Sequence, residues 1–480
     1  MNASTTPHPL VAARTLGVTV MPEWFACEGV EPVLDRVRAL GATAIATSPY
    51  VLEPAPDGEG AREPPLDAGA GRVRPLDRPL YGRHELWVRT APSFAHAKER
   101  YAGLRYQPSA PTALTLRDGG VLDRVIEAAA ARGIEVLLQV MAASPPGYRV
   151  QFGATHEDDQ CLGADGRPHP DRVDRNASLA SPHVAAYVAA LVAELAERYP
   201  GVAGFRLDWP EYPPYDFASA LFDFNPAAMA AMRALGSDPQ MVARDVRDWT
   251  TDLRARVSEA AGRGAEAVHD VLAGRQWQAL WDDTGPLAQL FAAKRAVTLR
   301  LLRGVRGALD AVDGPRRRLE PQAFPPPFHR VSGFPLADLG GVADAVGIKL
   351  YTMHWPMIAR FWAAGLVGAG APALHDAATA ALAMHFGFTD TLADGARQRY
   401  PEADEAHPVS LSRQREKLEL ARAVAGDVPI VGFCHSYGPL DDVVRRFGAV
   451  SGGRAWINRY GYLSEAKLAA LGTAWRNAKR

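Results

Sequence analysis

The sequence predicts an α/β protein, a single (β/α)8 TIM barrel over residues 1–480, with a long insertion after strand two and a helical insertion after strand four. Three observations carry this. Short apolar runs of strand length recur eight times, separated by helix-like segments, which is the pattern of a parallel sheet. The fourth run, Val202–Leu207, is short and largely apolar after a long helix-like segment, as a buried parallel strand is. No GxGxxG or GxxxxGKT turn follows an early run, which disfavours an open doubly wound sheet, the competing closure.

The first strand is Leu16–Met21, ending at Pro22-Glu23-Trp24-Phe25. Val30–Leu40 has helical spacing, and Gly41 stops it as a C-cap would. Ala42–Thr47 is the second strand, ending at Ser48-Pro49-Tyr50. A stretch rich in Pro, Gly and charge then interrupts the alternation over residues 53–115. Its length marks a lid or binding excursion, while Tyr81, Trp87, Phe94, Tyr101 and Tyr106 would equally suit a small core of its own. Alternation resumes with a helix over Gly120–Ala131 and a third strand, Ile134–Val140, ending at Met141 and Ser144–Tyr148. After a polar excursion over Gln151–Asn176, Ser181 reads as an N-cap with Pro182 in the first turn. That helix carries Val184, Tyr187, Val188, Leu191, Val192 and Leu195 towards the fourth strand, Val202–Leu207.

Residues 215–311 hold more helix than one barrel unit needs, so a helical insertion is expected after strand four. The fifth strand is Arg318–Phe324, although Pro321 lies inside it. Asp344–Tyr351, Val428–Phe433 and Gly453–Asn458 are the sixth to eighth strands, and an amphipathic helix over Ser464–Trp475 follows.

With 48% apolar and 22% charged residues the composition is that of a globular protein with a large core. A formal net charge of -1 without a sustained basic block argues against nucleic acid or anionic membrane as the main partner. Cys27, Cys161 and Cys434 are odd in number and far apart, so neither a disulfide framework nor a cysteine zinc site is expected. The start of the chain lacks a basic stretch followed by a continuous apolar run, and no apolar run approaches the roughly 20 residues of a membrane span. Cytoplasmic localisation is the default expectation.

The fourth strand runs into Asp208-Trp209-Pro210-Glu211-Tyr212-Pro213-Pro214-Tyr215, where the prolines end regular structure and two carboxylates stand among aromatics. In a parallel barrel the C-terminal ends of the strands build the active site. That rim would collect Glu23 and Trp24, Tyr50, Gln139, Tyr148, Asp208, Glu211, Tyr351, His354, Trp355, His435, Tyr437, Asn458 and Tyr460. Aromatic faces stack on the CH faces of pyranose rings, and the polar groups fix hydroxyl directions. Arg206 would point into the barrel and orient a carboxylate. Lys349, inside an apolar strand, is either a buried paired lysine or a substrate contact. Glu23 is a reserve carboxylate, and Glu320 lies too early in its strand to reach the rim.

Gly204-Phe-Arg-Leu-Asp208 resembles the fourth-strand signature of the alpha-amylase superfamily, in which the Asp is the nucleophile. The longer run Tyr199–Pro213 is similar to bacterial glycoside-hydrolase-like barrels reading Y-x-V-D-G-I-H-L-D-Y-x-R-Y-P, and Ser181-Pro182-His183 matches the helix start of that group. The resemblance covers about Asn176 to Tyr215 and implies a barrel fold and sugar chemistry. The chain departs from the amylase pattern in having no acidic Glu at the end of strand five and Cys434-His435-Ser436 where that pattern has His-Asp. The leading expectation is an O-glycosyl hydrolase acting on an oligosaccharide or glycoside. Asp208 would be nucleophile or base and Glu211 the acid; Trp209, Tyr212, His354, His435 and Tyr460 would line the sugar site, and neither cofactor nor metal is called for. The alternatives are a non-catalytic carbohydrate-binding barrel and a metal-dependent sugar isomerase or aldolase-type barrel with His354 and His435 as ligands.

Overall fold

Eight parallel strands close on themselves into a barrel, the first strand of the chain pairing with the last. The structure is a computed structural model that describes residues 14–65, 73–148, 155–168, 176–282, 285–368, 372–392 and 394–478. The barrel strands are β1 (Thr15–Thr19), β2 (Ala44–Thr47), β6 (Glu135–Met141), β7 (Gly204–Asp208), β8 (Arg318–Ala323), β9 (Val346–Leu350), β10 (Ile430–His435) and β11 (Arg454–Asn458). The fold is therefore the α/β barrel expected, and the eight strands fall on the eight apolar runs.

Pro321 is accommodated by a change of partner. β8 pairs with β7 from Arg318 to Pro321, and its pairing with β9 begins only at Gln322. The missing N–H thus falls where one ladder ends and the next starts. Below that point the strand is held to the next segment by Asp344, whose side chain accepts the Leu319 N–H at 2.8 Å.

The barrel interior is filled by Ala44, Ala46, Leu137, Val431, Phe433 and Trp456. Trp456 fits because Gly17 stands opposite: a Cβ there would come within 2.2 Å of the indole. A second, larger apolar layer lies between the strands and the helices outside them. Those helices include Val30–Leu40, Val121–Ala130, Pro182–Arg198, Ala288–Asp310, Leu411–Ala425, Leu440–Val450 and Glu465–Asn477. Ser181 caps the third of them as its sequence suggests, accepting the N–H groups of His183 and Val184.

Two excursions stand on the C-terminal side. β3 (Tyr50–Ala55), β4 (Ala61–Glu63) and β5 (Leu86–Pro92) form an antiparallel sheet in the order β3-β5-β4. Its loops are tied to the barrel by largely buried polar contacts. Glu63 meets Arg459 at 2.8 Å, Arg74 meets His435 at 2.9 Å, and Asp77 meets Lys467 at 2.7 Å. After β7 come the helices Phe217–Ala220, Pro226–Ala234, Pro239–Ala261, Ala265–Leu272 and Arg275–Gln278. No described helix is long and apolar enough to cross a membrane.

Candidate active site

β7 delivers Asp208 to the mouth of the barrel and stops there. Trp209 takes a positive φ of 55°, a region that costs a bulky residue about 1–3 kcal/mol, and Pro210 follows. The Asp208 side chain is 14% exposed. Its Oδ1 accepts the Trp209 N–H at 3.0 Å, and its Oδ2 accepts from Gln139 Nε2 of β6 at 3.3 Å. Lys349 of β9 brings its Nζ to 3.4 Å from Oδ1.

Glu211 does not open on the rim as expected. Its side chain is fully buried, with Oε1 accepting the Phe324 N–H at 2.8 Å and Oε2 accepting the Ser332 hydroxyl at 2.7 Å. Lys349 Nζ stands 3.3 Å from Oε1. Burial pushes the Glu211 carboxyl above its usual range, and the Lys349 ammonium, Ser332 and the Phe324 N–H oppose the rise. One ammonium therefore sits between the two carboxylates, under the rings of Phe324 (4.6 Å) and Trp209 (5.4 Å). A glycosidic oxygen would have to occupy that same gap to be flanked by both. The geometry makes Glu211 the anchor of Lys349 and leaves Asp208 as the member of the pair that reaches solvent. Of the two sequence readings of Lys349, the buried paired lysine is the one realised.

Arg206 points into the barrel beneath Asp208. Its guanidinium lies 3.7 Å from the Trp456 ring centre and donates to Thr19 Oγ1 at 2.8 Å and Gln139 Oε1 at 3.4 Å. The Gln139 amide thus links the arginine to the carboxylate above it, where a contact from Arg206 itself was expected. Burial lowers the Arg206 pKa to about 10, against the pull of Glu320, Tyr351 and Asp208. Glu320, level with Arg206, lines a small cavity of about 30 Å³ with Arg318, Asp344 and Arg454 at the opposite end of the barrel.

Aromatic residues wall one side of Asp208. Trp209 packs on Tyr215 at 5.8 Å, Tyr215 on Phe324 at 5.2 Å, and Tyr351 on His354 at 5.9 Å and His435 at 5.3 Å. Trp209, Tyr351 and Asn458 are half-buried. Other residues expected on the rim are inside the protein. Glu23 accepts the Tyr50 hydroxyl at 2.9 Å, both fully buried. Trp24 lies edge-on to Tyr460, whose hydroxyl is directed to Glu28 at 2.9 Å. Tyr212 donates to Asp223 at 3.4 Å, Trp355 stacks on Phe388, and Tyr437 donates to the Pro401 carbonyl at 3.2 Å. These positions are aromatic because they hold the loops together, so as sugar-stacking surfaces Trp24, Tyr50, Tyr212, Trp355, Tyr437 and Tyr460 are corrected by the structure.

Ser332, Phe324, Arg459, Glu63 and Arg74 were not singled out from sequence. Arg459 directly follows Asn458, so its position after strand eight was a usable signal; nothing in the sequence places Glu63 or Arg74 over the rim. The histidines are engaged: His354 Nδ1 lies 3.3 Å from Tyr215 Oη, and His435 accepts the Tyr437 N–H at 3.0 Å. Burial, reinforced by Arg74 and other nearby cations, holds His435 well below the usual imidazole range. Among the described residues no group of three or more His, Cys, Asp or Glu side chains is placed to hold a metal ion.

No family model and no curated protein matches the chain. Solved structures do. Beta-galactosidase from the psychrophilic Marinomonas ef1 superposes with a TM-score of 0.50 at 12% identity, covering 96% of this chain and 59% of that one. This chain therefore spans less than two thirds of that galactosidase. The fold that the two share is the parallel eight-stranded barrel. The catalytic domain of beta-amylase from Paenibacillus polymyxa matches with a TM-score of 0.49 at 10% identity, over 98% of this chain and 100% of that domain. Likeness at these identities is one of fold, and the chemistry has to be read from the mouth itself.

Proposed function

We propose that the protein is a glycoside hydrolase whose reacting carboxylate is Asp208, acting as nucleophile or base on an O-glycosidic bond of an oligosaccharide or glycoside. The observation that carries this is the Asp208 carboxylate: it is the end of strand four, it reaches solvent, and Lys349 and Gln139 fix it in place. The half-buried faces of Trp209 and Tyr351 offer stacking surface beside it. Glu211 holds Lys349 and does not reach the leaving group.

That sealed Glu211 also favours a second reading, a carbohydrate-binding barrel without turnover, because it removes one carboxylate from the pair. A panel of aryl glycosides and oligosaccharides, assayed for both release and binding, separates the two. Turnover that falls about 100-fold or more in Asp208→Asn, with an unchanged melting temperature, supports hydrolysis. Binding by the wild type with no release supports the second reading. Neither binding nor release with any sugar would defeat both.

A further inference from the structure

Another concavity has a lining that does not include Asp208. It has a volume of about 340 Å³ and lies between the 163–168 segment, the turn at Ala218–Phe222 and one face of the helix Pro239–Ala261. That volume is in the range of small-molecule sites. The helix presents Arg247, Thr250, Thr251 and Arg254 to it, at offsets of three, four and seven, which is one stripe of an α-helix. Leu221, Phe222 and Val246 supply an apolar floor, and Arg167 faces the helix from the opposite wall.

The charges here are not balanced as they are elsewhere on the same helix. Arg256 pairs with Asp252 at 3.1 Å, and Arg263 beyond the helix end pairs with Glu259 at 2.7 Å. Arg247 and Arg254 instead donate to backbone carbonyls, of Ala164 at 2.6 Å and Gly365 at 2.8 Å, and neither meets a carboxylate among the described residues. Those single bonds orient each fork and leave most of its five N–H donors unused. Among the described residues Asp165 is the one acidic side chain lining the space, and it accepts the Arg167 backbone N–H at 3.1 Å. Three guanidiniums, two hydroxyls and an apolar floor match a small molecule with an anionic group at one end and a ring face at the other.

We infer that this concavity binds an anionic sugar, with its phosphate or carboxylate between Arg247 and Arg254 and its ring against Phe222. The site is independent of the reading of Asp208. It would give a glycoside-hydrolase-like barrel a second, charge-selective hold on an acidic carbohydrate.

Isothermal titration calorimetry of the full chain with glucose 6-phosphate, glucuronate and glucose tests it. Binding of the phosphate or the carboxylate sugar at millimolar concentration or tighter, with no measurable binding of glucose, is expected, and the two anionic arms show which group is preferred. Arg247→Ala and Arg254→Gln should each weaken that binding about tenfold or more, and the effect should shrink in high salt. Equal affinity for glucose, no binding of either anion, or binding that survives both arginine substitutions in variants with native melting temperatures would overturn the proposal.

Discussion

At the scale of single residues, Lys349 governs the mouth. It lies between two carboxylates, one buried and one partly open, so its loss is felt unequally. Lys349→Met leaves Glu211 without its ammonium in a fully buried place, which should cost about 3–5 kcal/mol in urea unfolding. Lys349→Met combined with Glu211→Gln should recover part of that, because the remaining amide still meets Ser332 and the Phe324 N–H. If the double variant is no more stable than the single one, Glu211 is not what Lys349 compensates. Ser332→Ala removes one hydrogen-bond donor from the same carboxylate and should cost about 1–3 kcal/mol by the same measurement. The sequence put Asp208, Glu211 and Lys349 forward but could not show that they meet. Asp208 and Glu211 are close in the chain, whereas Lys349 arrives through the register of β9, and only closure of the barrel sets that distance.

At the scale of elements, the second buried amine worth testing is Lys417, on the helix Leu411–Ala425. Its Nζ donates to the carbonyls of Pro326 and Phe386, at 2.9 and 2.6 Å, beneath the rings of Trp355 and Phe388. Burial lowers its pKa from 10.5 to about 7. Between those values the unfolded chain binds a proton that the folded chain has released, so stability gains from Lys417 as pH rises from 7 towards 10. The gain is up to roughly 1 kcal/mol per pH unit. Unfolding measured at pH 7, 8 and 9 should show this rise relative to Lys417→Met, and parallel profiles for the two proteins would refute it. The eight barrel strands were legible because apolar runs buried on both faces carry their own signal. Pro321 obscured the fifth only because a sequence does not reveal that a strand can change neighbours at one residue. The antiparallel sheet within 53–115 was not legible: Pro54 and Pro92 lie in its strands, and its side chains are spent on the barrel below rather than on a period of two. Many rim aromatics were legible as loop residues but not as inward-facing ones, since a ring that seals a loop and a ring that stacks on sugar look alike in a sequence.

At the scale of the whole molecule, the barrel is closed by strands from opposite ends of the chain. Thr15 pairs with Arg454 and Val18 with Ile457, so β1 has no second neighbour until β11 is in place. Trp456, which packs over Gly17 and under Arg206, belongs to that last strand. A chain cut before Arg454 should therefore lose cooperative thermal unfolding, and retention of a single sharp transition would show that the other seven strands suffice. The order of manufacture follows from the same seam. A ribosome makes Arg206 and Asp208 well before the Phe433 and Trp456 rings on which the guanidinium packs, so the floor of the mouth is completed only when the last two barrel strands arrive.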